Sequence, residues 1–214
     1  IDVSCYGDSS GIAIVYFSGG TSGIAFGDTS YILEFLGSQY AIYYPLTEFN
    51  STLDTTISAG TYPYTVTDVN GCTLFDTITI NQPDSLYASY TLSDFNGYNV
   101  SCFGDSNAIV NVQINGGTAT FTHYFNGDSI TNNLIQNLGA GIYTDSITDV
   151  NGCTFTDTIT LTEPTQLSSI FTSTNIGCNG ASNGNIDITP LEGTSPYTFA
   201  WDNGATTEDL INVP

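Results

Sequence analysis

The sequence predicts an all-β protein built of tandem immunoglobulin-like β-sandwich repeats, each stapled by a disulfide. Three observations predict it. The hexapeptide Asp-Val-Asn-Gly-Cys-Thr occurs at Asp68–Thr73 and again, 81 positions on, at Asp149–Thr154. A seven-residue stretch, Val3-Ser4-Cys5-Tyr6-Gly7-Asp8-Ser9, returns as Val100-Ser101-Cys102-Phe103-Gly104-Asp105-Ser106, and loosely as Ile176-Gly177-Cys178-Asn179-Gly180-Ala181-Ser182. Between these landmarks lie short runs of β-branched and aromatic residues broken by Gly- and Asn-containing turns, with no window of helical periodicity.

The repeat sets the expected domain organisation. After each Asp-Val-Asn-Gly-Cys comes a matching close, Asp76-Thr77-Ile78-Thr79-Ile80-Asn81-Gln82-Pro83 and Asp157-Thr158-Ile159-Thr160-Leu161-Thr162-Glu163-Pro164. Fixed-period self-similarity is the sign of a repeat architecture, and this period is too long for a solenoid turn but suits a small domain. The expected repeats are 1–83, 84–164 and 165–214. The first lacks its opening strand and carries 16 extra positions around Phe26–Phe49, which leaves its central strands undefined. The third stops before its last hairpin.

Ile12–Phe17 and Ala108–Ile114 read as strands, each followed by a Gly-Gly-Thr turn at Gly19 and Gly116. Ile142–Thr148 and Thr154–Ile159 read as a hairpin across Asp149-Val150-Asn151-Gly152. A type I′ turn is expected there, because its two central residues need positive φ and Asn-Gly supplies them.

The two full repeats hold two cysteines each, one beyond the first strand and one just past the hairpin turn. The simplest pairing is within a repeat, Cys5 with Cys72 and Cys102 with Cys153, across 67 and 51 positions. Loops of that size contribute about 4 kcal/mol on the chain-entropy model. Cys178 is left over, its expected partner lying beyond Pro214. Disulfides imply an oxidising compartment; the alternative is a set of buried free thiols.

Composition narrows function. The 214 residues include no Lys or Arg, one His and 21 acids, for a net charge of −21. No cations are present to neutralise phosphates, so nucleic acid is excluded as a partner, and an anionic membrane surface is disfavoured. Salt bridges are impossible except through His123. Divalent cations are the natural counter-ions, and trypsin-like proteases find no site. At 40% hydrophobic and 13% aromatic residues the chain can build packed cores. It has no apolar run of membrane-spanning length. Ile1 is not a natural start and no basic leader precedes it, so the chain reads as an excerpt from something longer.

The segment Gly193-Thr194-Ser195-Pro196-Tyr197-Thr198-Phe199-Ala200-Trp201-Asp202-Asn203-Gly204, continuing to Leu210, resembles the signature of SprB-type repeats. So do the Cys-x-Gly turns, Ala59-Gly60-Thr61-Tyr62, Ala140-Gly141-Ile142-Tyr143, and the Asp-x-Asn-Gly-Cys hairpin with its Gln-Pro or Glu-Pro close. These repeats occur in giant cell-surface adhesins of gliding Bacteroidetes-type bacteria. The resemblance implies an extracellular location at the outer membrane, type IX secretion, and the gliding and secretion machinery as partners. It further implies contact with an extracellular surface or polysaccharide through the full-length protein. It does not name a ligand.

Individual residues add candidates. His123 aligns with Phe199, between Phe121 and Phe125, on one face of a strand, and is expected to replace a packed aromatic. One His without Cys, Lys or Arg makes neither a zinc site nor a conventional triad, so no catalytic residues and no enzyme are expected. Trp201 is expected in a sandwich core on a central strand. No resident cofactor is expected. Calcium candidates are Asp8, Asp68, Asn70, Asp94, Asp105, Asp149 and Asn151, which place oxygens at loop tips, although the twelve-residue loop with its closing Glu is missing. Asp followed by Ser or Thr and an aliphatic residue or Thr resembles the O-glycosylation acceptor of the same bacteria. It marks Thr55, Thr77, Ser85, Ser129, Ser146 and Thr158. The expected function is a repeat region of a filamentous adhesin, serving surface attachment and gliding mainly as stalk. Two alternatives stay open: repeats that bind polysaccharide or surfaces themselves, and accessory repeats of a secreted enzyme.

Overall fold

The structure is a computed structural model that describes residues 1–15, 29–43 and 51–214. Gly19, Tyr16, Phe17 and the outer parts of the insertion around Phe26–Phe49 lie outside the described residues. Among those described there are sixteen strands and no helix, so the chain is all-β.

Residues 1–83 contribute two sheets. In one, β1 (Gly11–Val15) pairs with β4 (Ser51–Ile57); in the other the order is β3 (Ser38–Tyr43), β2 (Thr29–Phe35), β5 (Gly60–Asp68), β6 (Thr73–Ile80). Residues 84–164 also contribute two. The strands β7 (Tyr87–Leu92), β8 (Ala108–Asn115) and β11 (Leu134–Leu138) form a sheet in the order β11-β8-β7. The strands β9 (Phe121–Phe125), β10 (Asp128–Ile130), β12 (Gly141–Asp149) and β13 (Thr154–Leu161) form another in the order β10-β9-β12-β13. Residues 165–214 form β14 (Ser168–Thr174), β15 (Gly184–Leu191) and β16 (Leu210–Val213), side by side in that order. Two sheets per full repeat is the arrangement a sandwich requires. No sheet among the described residues mixes strands from both sides of Pro83 or Pro164.

Packing groups the chain differently from hydrogen bonding. One compact unit is Ile1–Ala88 with Ile114–Thr122 and Ile147–Phe155; the other is Ser89–Gln113, His123–Ser146 and Thr156–Pro214. The first unit therefore holds the Asp149–Cys153 hairpin tip and the Gly116-Gly117 turn together with the whole of residues 1–83.

The cores repeat with the sequence. Alternation along β1 buries Gly11, Ala13 and Val15, and along β8 it buries Ala108, Val110 and Val112. Val3 and Val100 are buried, as are Ile80 and Leu161 at the ends of β6 and β13. In the first unit Ala13, Val15 and Ile57 of one sheet share a core with Leu33, Phe35, Val66 and Ile80 of the other. The insertion resolves into a longer hairpin: β2 and β3 pair from Thr29↔Tyr43 to Phe35↔Ser38, and β2 pairs β5 on its other side. It occupies the place of the shorter β9–β10 hairpin. Its turn is Leu36-Gly37, with φ of 51° and 76°, where the second repeat uses Asn126-Gly127 at 51° and 89°.

The Asp-Val-Asn-Gly turn is not type I′. Gly71 and Gly152 have φ of 82° and 86°, whereas Asn70 and Asn151 are not at positive φ. Gly71 N–H donates to Asp68 O at 2.9 Å and Asp68 N–H to Cys72 O at 3.0 Å. This is a three-residue loop, a type I turn closed by a left-handed glycine, and the glycine supplies the bulge.

Gly116 is required by space as well as by φ. Its φ is 66°, and a Cβ there would lie 2.0 Å from Ser85 O. Gly116→Ala is expected to cost about 2–4 kcal/mol, combining left-handed strain with overpacking. A urea titration followed by fluorescence measures it.

Candidate functional site: the disulfide joint and the buried polar cluster

The first two opening turns are each held against the closing segment that follows β6 or β13. Asp8 N–H donates to Cys5 O at 3.2 Å, Gly7 N–H to Gln82 Oε1 at 2.9 Å and Val3 N–H to Asn81 O at 2.9 Å. The second repeat copies this: Asp105 N–H to Cys102 O at 3.1 Å, Gly104 N–H to Glu163 Oε2 at 2.6 Å and Val100 N–H to Thr162 O at 3.0 Å. Cys5 and Cys102 therefore sit beyond the far ends of β6 and β13. Cys72 and Cys153 sit immediately before the near ends of the same strands.

That geometry overturns the pairing within repeats. An eight-residue strand spans about 26 Å, and bridged cysteines need their Cα atoms within about 7 Å. Cys5–Cys72 and Cys102–Cys153 cannot form. Cys5 instead bonds Cys153, with Cα atoms 5.6 Å apart and 148 positions between them. Both belong to the first unit. Cys72, Cys102 and Cys178 are free and exposed. Closing a loop of this length stabilises by about 5 kcal/mol on the chain-entropy model.

The joint has its own polar framework. Asn151 Nδ2 donates to Ser4 O and to Thr118 Oγ1, each at 3.2 Å. Asp149 organises the tip: Oδ1 accepts from Asn151 N–H and Cys153 N–H at 2.9 Å, and Oδ2 accepts from Thr118 N–H at 2.9 Å. Burial alone would raise its pKa, but the backbone donors Thr118, Cys153, Asn151 and Gly152 outweigh burial and hold it below the usual value. Asp68 builds the same tip, accepting from Asn70 N–H at 3.0 Å and Cys72 N–H at 2.8 Å.

A second cluster lies in the second unit. Asp145, fully buried, accepts from Tyr90 OH on Oδ2 at 3.0 Å and lies 2.5 Å from His123 Nε2 on Oδ1. His123, 4% exposed, reaches Asn133 Oδ1 with Nδ1 at 3.4 Å. Burial, then the Asp145 carboxylate, pushes the Tyr90 phenol well above its ordinary pKa. Tyr90 lies on β7 and Asp145 on β12, so the cluster ties one sheet to the other. His123 is packed on the interior face, as its alignment with Phe199 suggests. The residues that replace His123 and Asp145 in the first repeat, counted from the hairpin turns, are Leu33 and Tyr64. The position of His123 thus tolerates an apolar filling.

The loop-tip oxygens are dispersed. Asp8 accepts from Ser9 N–H at 2.7 Å, Asp94 from Gly97 N–H at 2.7 Å, and Asp105 from Ser101 Oγ at 3.2 Å. Among the described residues no three His, Cys, Asp or Glu side chains converge as a metal-binding group. Of the modification candidates, Thr77, Ser85, Ser129 and Thr158 are exposed and Ser146 is half-buried beside buried Asp145. The side chain of Thr55 is outside the described residues. Trp201 departs from expectation: it lies in an irregular segment, half-buried, with Nε1 donating to Thr207 O at 2.8 Å. It is not on a central strand, because residues 199–209 form a turn, bends and irregular backbone instead.

The fold and joint define an all-β protein in which a disulfide fastens the opening turn ahead of β1 to the hairpin tip between β12 and β13. Residues 170–206, within the third segment, match the family described as SprB repeat and support the resemblance seen there. No curated protein matches the chain. That match associates residues 170–206 with the SprB repeats found in gliding-motility adhesins and cell-surface proteins. No helix among the described residues is long and apolar enough to cross a membrane.

Two outcomes are expected. Asp149→Ala removes a charged acceptor from three backbone donors and should cost about 2–3 kcal/mol in chemical unfolding. Because its folded pKa is lowered, its contribution is present above about pH 4 and lost as pH falls through the folded value. The acid limb of the stability profile should therefore flatten in Asp149→Ala. His123→Leu strands a buried carboxylate and should cost about 3–5 kcal/mol, while adding Asp145→Leu should restore most of that loss. Additive losses in the two thermal melts would contradict the coupling.

Proposed function

We propose that this chain is a tension-bearing spacer in the repeat region of a cell-surface gliding adhesin, exported to the outside of the outer membrane. The single observation that carries the reading is the Cys5–Cys153 bond. It fastens one repeat to its neighbour, where a bond within a repeat would brace only that repeat. Tension on a chain so fastened meets a covalent bond before it can separate the neighbours. The repeats need no catalytic machinery, and the chain's one imidazole is committed to a buried structural cluster. The bound ligand and the contact with the gliding and secretion machinery then belong to the full-length protein.

A reading in which the repeats themselves grip a surface has one observation in its favour. Tyr6 and Phe103, at equivalent places in the opening turns, are 60% and 52% exposed. Microspheres coated with the oxidised chain and washed over glass and polysaccharide separate the readings. The spacer reading predicts no retention above uncoated spheres, with or without a calcium chelator. Retention would make the repeats adhesive, and its loss in chelator would make the loop-tip acids metal ligands.

A further inference from the structure

The three free cysteines occupy the same two kinds of position as the bonded pair. Cys102 and Cys178 lie in opening turns built like that of Cys5. Cys102 O and Cys178 O accept from the backbone N–H three residues on at 3.1 and 3.0 Å, and Gly104 and Gly180 have φ of 79° and 84° beside 75° at Gly7. Cys72 lies past a hairpin tip built like that of Cys153, with the same Asp side chain holding the same backbone donors. The partnering residues are duplicated too. Ser4, whose carbonyl receives Asn151, is matched by Ser101, and Asn151 is matched by Asn70. All three thiols are exposed.

We propose that the Cys5–Cys153 bond is one instance of a general register, in which the opening-turn cysteine of one SprB-type repeat bonds the hairpin cysteine of another. Cys72 is then a receptor for the opening-turn cysteine of a further repeat, and Cys102 and Cys178 are donors to further Asp-x-Asn-Gly-Cys hairpin tips. The contact is heterologous, one surface meeting a different one, so it propagates as an open series instead of closing into a symmetric dimer. Bond formation takes a disulfide oxidant such as oxidised glutathione. One cysteine thiolate attacks it, releasing one glutathione thiol and leaving a mixed disulfide. The second cysteine thiolate attacks that, releasing the other glutathione thiol. Two protein thiols are oxidised and one glutathione disulfide is reduced. The inference rests on the repeated turn geometry and is independent of whether the chain adheres to anything.

The test uses the whole chain, at high concentration in an oxidised and reduced glutathione buffer, with a second copy serving as the further repeat. The expected result is a ladder of oligomers on a non-reducing gel that collapses with reductant. Its junction peptides should join Cys72 of one copy to Cys178 or Cys102 of another. Cys72→Ser removes the only unbonded hairpin thiol and should reduce the ladder at least tenfold, and the double variant Cys102→Ser, Cys178→Ser should do the same. A ladder that survives Cys72→Ser overturns the register. So do junctions of the kind Cys72–Cys72 or Cys178–Cys178, and so does a chain that stays monomeric while Cys5–Cys153 closes.

Discussion

The length of one strand, β6 or β13, separates the two cysteines of each full repeat in space, and most of the chain's covalent logic follows from that. The opening turn is pinned to the close of β6 or β13 by backbone bonds to Asn81 or Thr162 and by the Gln82 or Glu163 side chain. The hairpin cysteine stands at the opposite end of the same strand. Eight extended residues cannot be folded to bring them together without dissolving the sheet. A cysteine at each end is poorly placed to brace a sandwich and well placed to reach a neighbour, which Cys5 and Cys153 do.

The absence of Lys and Arg shapes the polar chemistry just as strongly. With 21 carboxylates and no basic side chain but His123, acids have few partners other than backbone N–H groups and hydroxyls. Asp8, Asp68, Asp94 and Asp149 each take backbone donors of their own turns, and Asp149 adds Thr118 from the adjoining turn. Such carboxylates shape loops instead of forming ion pairs. The sole imidazole goes to Asp145, the one fully buried acid among the described residues, where an unpaired charge would be most costly. The high negative charge keeps neighbouring surfaces repelling one another, so a covalent joint offsets a repulsion that non-covalent contacts alone would have to overcome.

Much of this was legible in the sequence. The all-β class, the strands at Ala108–Ile114 and Thr154–Ile159, and His123 as a packed residue all follow from periodicity, spacing and composition. What failed was three-dimensional. Pairing Cys5 with Cys72 assumed that a repeat closes on itself, and only strand direction, traced from opening turn to hairpin tip, places the two at opposite ends. The type I′ expectation read Asn-Gly as a pair, but Asp68 and Asp149 hold Asn70 and Asn151 out of positive φ by accepting their N–H groups. Leu36-Gly37 is not legible as a turn because Leu is a poor residue for φ of 51°. Trp201 followed an analogy with sandwich cores that local turn residues, Asp202-Asn203-Gly204, overrode.

The joint is the central claim, and its connectivity can be read directly. The dilute, oxidised monomer would be digested without reduction by a protease that cuts at acidic residues, since trypsin has no site, and its linked peptides identified by mass spectrometry. The account predicts a peptide joining Cys5 to Cys153, with Cys72, Cys102 and Cys178 recovered as thiols. Peptides joining Cys5 to Cys72 and Cys102 to Cys153 would contradict it and return each disulfide to the interior of a single repeat.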